Sequence, residues 1–107
     1  MADFTPLFTG QTADGDSNIF ISGGSASVQN KKDSMYVVRG TGDFGGGAVT
    51  FEVDFGDDDW APVINAYDGT PLSYSSAFVI DLYIKTGSQL KAVLSSATTA
   101  SLNVGVL

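Results

Sequence analysis

Residues 48–55, AVTFEVDF, decide the fold class of this chain. Apolar and polar residues alternate through the stretch, and a period of two is the spacing of side chains on one face of a β-strand. The stretch therefore predicts a half-buried strand. Its buried face carries Val49, Phe51, Val53 and Phe55.

Other parts of the chain follow the same pattern. Residues 77–85 alternate in the same way, and shorter runs rich in Val, Ile, Leu and aromatic residues occupy 18–22, 35–39, 89–95 and 101–106. Glycine-containing turn signals separate these runs, and no segment has apolar residues at helical spacing with helix caps. We predict an all-β, single-domain antiparallel β-sandwich or jelly roll of about 7–9 short strands.

The amino-terminal segment is the least regular part of the pattern. Pro6 interrupts central strand pairing, so residues 1–12 are predicted to be an edge strand or an arm, and residues 13–107 the β-sandwich domain. The expected core lies on the apolar rows of the strands and includes Val49, Phe51, Val53, Phe55, Trp60, Phe78, Ile80, Leu82 and Leu94.

Composition excludes several classes of function. The chain carries 12 acidic and 5 basic residues, a formal charge of −7, which opposes binding to the phosphates of nucleic acids. No run approaches the length of a membrane span, and residues 1–10 lack the features of a secretory signal peptide. We therefore expect neither a nucleic-acid nor a membrane partner, and no export by the general secretory route.

The residue types of most active sites are missing. The chain has no histidine and no cysteine, which removes the commonest general base, the thiolate nucleophile and the usual zinc ligands. Its single glutamate, Glu52, lies on the solvated face of a predicted strand. We predict that the protein is not an enzyme, has no catalytic residues and requires no cofactor.

Two acidic segments and one set of aromatic residues are candidate binding sites. Residues 14–18, DGDSN, resemble the first half of a calcium loop, but Ser25 stands where the closing glutamate is expected. Residues 57–59 add three aspartates, which we interpret as an exposed turn, and we predict no metal site. Trp60 is interpreted as a core residue, and the alternative is that Trp60 and the four tyrosines form a sugar-binding platform.

Surplus apolar residues indicate a protein interface. Val79 and Tyr83 lie on the face opposite the apolar row of their strand, and Phe4, Leu7 and Phe8 crowd the amino-terminal segment. An apolar row on the second face of a strand is covered either by a second layer of the same chain or by a partner. These five residues are the candidate protein interface.

Two segments resemble small structural proteins of tailed-bacteriophage virions. Residues 45–63, GGGAVTFEVDFGDDDWAPV, resemble a hairpin of that family, and residues 87–98, GSQLKAVLSSAT, resemble the strand that the family places near its carboxyl end. Residues 99–107 look like its short closing strand. This chain departs from the pattern at Lys91, where arginine is common, and at Ser96, where glycine is common.

The resemblance implies a non-enzymatic virion component of the head-decoration or cement type. Such a protein forms a homo-oligomer, commonly a trimer, and binds the major capsid protein of the shell; it is made in the host cytoplasm and ends on the capsid surface. Alternatives that share these sequence properties are a phage tail, fibre or adaptor component and a carbohydrate-binding β-sandwich module.

Overall fold

The computed structural model describes residues 5–21, 35–65, 67–84 and 87–107. These residues form ten β-strands and no helix. The described residues therefore contain no helix that could cross a membrane. The strands are β1 Thr5–Gln11, β2 Gly15–Asp16, β3 Phe20–Ile21, β4 Met35–Asp43, β5 Ala48–Asp54, β6 Ala61–Pro62, β7 Ser73–Tyr74, β8 Phe78–Tyr83, β9 Gln89–Ser95 and β10 Ser101–Val106.

The strands form two antiparallel sheets that pack against each other, which confirms the predicted all-β sandwich. One sheet has the order β1-β10-β4-β8, and the other has the order β2-β9-β5-β6, with β3 beside β9 and β7 beside β5. Because β2 and β3 lie along one edge of β9, and β6 and β7 along one edge of β5, each pair acts as one interrupted strand. Counted in this way, eight strands follow the order of a jelly roll.

The core fills the space between the two sheets. The alternation of β5 places Val49 and Phe51 fully inside, and β9 contributes Leu90, Ala92 and Leu94 from its inward face. Ring contacts join the layers, since Phe51 of one sheet meets Phe78 of the other edge to face at 5.9 Å. Of the predicted core residues, Phe78, Leu82 and Leu94 are also buried, and Val53 and Ile80 are partly buried against them.

Two residues were assigned to the core wrongly. Phe55 is 76% exposed, because the strand ends at Asp54 and the chain turns before the alternation can continue. Trp60 is partly exposed and lies against Lys91, whose neighbours Leu90 and Ala92 point into the core. Since side chains alternate along a strand, the indole lies on the outer face of its sheet.

Strand β1 lies at an edge and is irregular. Pro6 pairs with Gly105 and Phe8 pairs with Val104, so two steps on β1 correspond to one step on β10. This bulge turns Leu7 and Phe8, which are consecutive, both into the core. Thr5–Gln11 is therefore an edge strand of the domain, and these two residues are not accessible to a partner. Phe4 lies outside the described residues.

Candidate protein-binding face

The outer face of the four-stranded sheet carries the exposed candidate residues. Met35 pairs with Tyr83, Val37 with Asp81, and Arg39 with Val79, all across β4 and β8. On the other side of β4, Arg39 pairs with Gly105 of β10, and the backbones of Val37 and Leu107 exchange two hydrogen bonds. We call this surface the apolar face; it consists of Met35, Val37, Arg39, Val79, Asp81, Tyr83, Gly105 and Leu107.

The apolar face is accessible and has a shallow depression. Val79 is 68% exposed and Tyr83 is 56% exposed, and Met35 is also exposed. Gly105 of β10 pairs with Arg39 and has no side chain, so the surface beside Arg39 is open. An open depression of about 370 Å³ is lined by Val37, Arg39, Val79, Gly105 and Leu107. Clustered apolar side chains of this kind are typical of surfaces that bind a protein.

The outer face of the other sheet carries a cluster of charged side chains around Lys91. Lys91 Nζ lies 3.0 Å from Asp16 Oδ2 and 3.5 Å from Glu52 Oε1. The carboxylate of Asp16, its hydrogen-bond acceptor, raises the pKa of Lys91 above 10.5, and burial opposes this only in part. Lys91, Asp16 and Glu52 therefore form a charged cluster on this face, with the Trp60 ring beside Lys91.

The aromatic residues do not assemble into a platform. Tyr36 is buried in the core against Phe20, and Tyr74 stacks on Phe78 at 4.5 Å between ring centres. Tyr83 belongs to the apolar face, whereas Trp60 lies on the opposite side of the sandwich with Lys91 Nζ 4.5 Å from its ring centre. A sugar platform made of Trp60 together with these tyrosines is not formed.

The carboxylates of the DGDSN segment are used by the fold. Asp14 accepts hydrogen bonds from the N–H groups of Ser96 and Ala97, at 3.1 and 2.8 Å. Ser96 has a φ of 60°, a conformation that favours glycine. Asp14 therefore stabilises a turn at Ser96 that serine itself does not favour. Asp16 binds Lys91. No group of three acidic side chains that could hold a metal ion occurs in the described part of the chain.

These contacts predict that calcium has no effect on stability. Addition of millimolar Ca²⁺, or of a chelator, is expected to leave the midpoint of thermal unfolding unchanged, because the oxygens of Asp14 already accept two backbone hydrogen bonds. Replacing Asp14 with alanine is expected to cost about 1–3 kcal/mol with or without calcium. A calcium-dependent rise in the midpoint that Asp14→Ala abolishes would contradict this expectation.

The acidic turn after β5 is organised by one buried carboxylate. Asp54 Oδ1 accepts from the N–H of Asp59 at 2.8 Å, and Oδ2 accepts from the N–H of Gly56 at 3.2 Å. Burial would by itself raise the pKa of Asp54, but these N–H groups, the backbone of Asp58 and the Asp57 side chain outweigh it and hold the pKa below 3.8. The turn is thus a structural element of the fold.

Ionised Asp54 predicts a loss of stability in acid. Because its pKa is lower in the folded chain than in the unfolded chain, its stabilisation is present above pH 3.8 and is lost as the pH falls through the folded pKa. Asp54→Asn should therefore lower the unfolding midpoint at pH 7, and the difference from the parent should shrink below pH 3.8. Asp58→Asn, on the same turn, is the control; a constant Asp54→Asn deficit from neutral pH into strong acid would refute the assignment.

The structure brings together some of the predicted interface residues and adds others. Val79 and Tyr83 lie on one accessible face, whereas Leu7 and Phe8 are buried in the core. Met35, Val37 and Leu107 were missed as members of this face. The run at 35–39 contains a signal for the first two, since Met35 and Val37 alternate with the buried Tyr36 and Val38. Leu107 gave no signal before its pairing with Val37 was known.

Comparison with known proteins gives no further identification, since no family model, no curated protein and no solved structure matches the chain.

Proposed function

We propose that this protein is a non-enzymatic structural module that binds protein surfaces, and specifically a decoration protein that attaches to a bacteriophage capsid shell as a homo-oligomer. The observation that carries the binding role is the apolar face, where Val79 and Tyr83 are more than half exposed beside Met35, Val37 and Leu107. Covering such side chains releases roughly 25 cal/mol for each Å² removed from water. A protein surface is the partner that supplies this cover.

The capsid partner rests on the resemblance of residues 45–63 and 87–98 to virion structural proteins. The architecture is compatible with it, since many capsid and lectin domains share the jelly roll, although fold alone does not assign function. The resemblance implies a trimer and a location on the capsid surface.

Co-sedimentation tests this function. Purified protein is mixed with tailed-phage capsid shells assembled without their decoration protein, and saturable binding is expected. A variant with Val79→Ser and Tyr83→Ser should bind more weakly, because its copies separate and the avidity of the homo-oligomer for the shell is lost. Tyr67→Ser is the matched control, since Tyr67 is 99% exposed and lies in the chain between Asn65 and Thr70, which are joined by a backbone hydrogen bond, away from the apolar face.

Two results would overturn the proposal. Parent protein that stays in the supernatant with every shell tested would remove the capsid partner. The second result is retention of the parent protein on glycan columns, lost in Tyr67→Ser but kept in the variant with Val79→Ser and Tyr83→Ser. This result would indicate a carbohydrate-binding or tail-fibre module, the second candidate, which the fully exposed Tyr67 favours.

A further inference from the structure

The charges on the apolar face are arranged for pairing with a second copy of the same face. Arg39 and Asp81 are the charged side chains within it, and both are exposed. Val37 pairs with Asp81 and Arg39 pairs with Val79 across β4 and β8. Adjacent strands lie about 4.8 Å apart and alternate residues about 7 Å apart, so these four residues mark the corners of a rectangle. The valines occupy one diagonal and the opposite charges occupy the other.

This arrangement is complementary to itself. Two such faces can meet around a two-fold axis that runs between them, parallel to the sheets and along the Val37–Val79 diagonal. Each valine then lies opposite its own copy. The same rotation brings Arg39 of each chain to Asp81 of the other, within the reach of the long arginine side chain. Two ion pairs and a central apolar contact then form together, as a two-fold interface requires, because every contact in it occurs twice.

We infer that the apolar face is the contact between two copies of this chain, packed sheet against sheet with Arg39 of each copy opposite Asp81 of the other. Sheets stack about 10 Å apart, a spacing that valine side chains from both faces fill. Met35 and Tyr83 on one side and Leu107 on the other extend the apolar area around this centre. The contact is independent of the capsid partner, and its two-fold symmetry differs from the trimer implied by the resemblance.

The mass of the assembly is the first test. Sedimentation equilibrium at up to millimolar protein is expected to give twice the chain mass of 11.1 kDa. A monomer throughout this range would overturn the inference. A trimer would overturn it as well, because a three-fold contact joins two different surfaces and cannot place each face on itself.

Charge reversal is the second and sharper test. Arg39→Asp places two acidic groups opposite each other at both ion pairs, and Asp81→Arg places two basic groups there, so each single variant should dimerise at least about ten times more weakly. Mixing the two variants should restore a heterodimer, in which both pairs are again of opposite charge. The double variant with both substitutions should dimerise like the parent.

The control is Ser73→Asp, which adds negative charge on an exposed residue of β7 in the other sheet. Parent-like dimerisation is expected for it. Dimers that are unaffected by either reversal, or single variants that remain monomeric when mixed although each is folded by circular dichroism, would overturn the inference. Dimerisation without binding to capsid shells would overturn the proposed function and leave this contact standing.

Discussion

Phe51→Ala is expected to destabilise the protein by about 3–5 kcal/mol, a large part of the stability of a typical domain. Phe51 is fully buried, and its ring meets Phe78 across the two layers. Removing it leaves a cavity at the centre of the sandwich. Urea unfolding followed by tryptophan fluorescence or circular dichroism measures the change.

Phe55→Ala is the matched control for this prediction. The two phenylalanines stand four residues apart in one alternating run, but Phe55 is exposed beyond the end of β5. The Phe55 variant is expected to unfold within about 0.5 kcal/mol of the parent. Similar losses for both variants would mean that the strand continues past Asp54 and that Phe55 is buried as Phe51 is.

Gly42→Ala is expected to cost about 2–5 kcal/mol, because two penalties act at one residue. Gly42 has a φ of 105°, a backbone conformation that residues with a Cβ rarely adopt. A Cβ there would also overlap the carbonyl oxygen of Ser101, which belongs to the backbone of β10 and cannot rotate away. The ladder between β4 and β10 would have to open.

Gly46→Ala separates the two penalties. Gly46 has a φ of 77°, but a Cβ at this position would meet no other atom within 4 Å. Its variant should lose only the conformational part, about 1–2 kcal/mol. If chemical denaturation gives equal losses for the two glycine variants, the close approach of β10 to Gly42 contributes nothing.

The local pattern of the sequence was sufficient for the fold class but not for the ends of its strands. The alternation at 48–55 correctly placed Val49 and Phe51 in the core. It misplaced Phe55, because the hydrogen bonds that Asp54 accepts from Gly56 and Asp59 end the strand one residue earlier. The effect of a turn on the preceding residue depends on backbone geometry that a two-residue period does not contain.

Contacts between distant segments were beyond the reach of sequence. Trp60 lies over Lys91, which is on another strand, and an isolated tryptophan after a turn gives no sign of that neighbour. Leu7 and Phe8 are consecutive, so alternation predicts that only one points inward, but the bulge opposite Gly105 and Val104 buries both. The pairing order of the jelly roll likewise depends on long-range contacts.

Only part of the candidate site could be predicted, because the rest of it depends on the pairing of strands that are distant in sequence. Val79 and Tyr83 share a strand, and their period of two was enough to place them together on the face opposite the core row. Met35, Val37 and Leu107 complete the apolar face only through the registers of β4 with β8 and β10. The rectangle of valines and charges exists only in that register.

Hydroxyl-radical footprinting tests most directly whether the apolar face is the interaction surface. Met35 and Tyr83 lie on the face and are both readily oxidised, and the fully exposed Tyr67 lies away from it as an internal reference. Oxidation is measured at each residue in dilute monomer, in concentrated protein and on capsid shells. Met35 and Tyr83 are expected to become protected in the assembled states while Tyr67 reacts as before. Protection of Tyr67 with unchanged oxidation of Met35 and Tyr83 would contradict the assignment of the apolar face as the interaction surface.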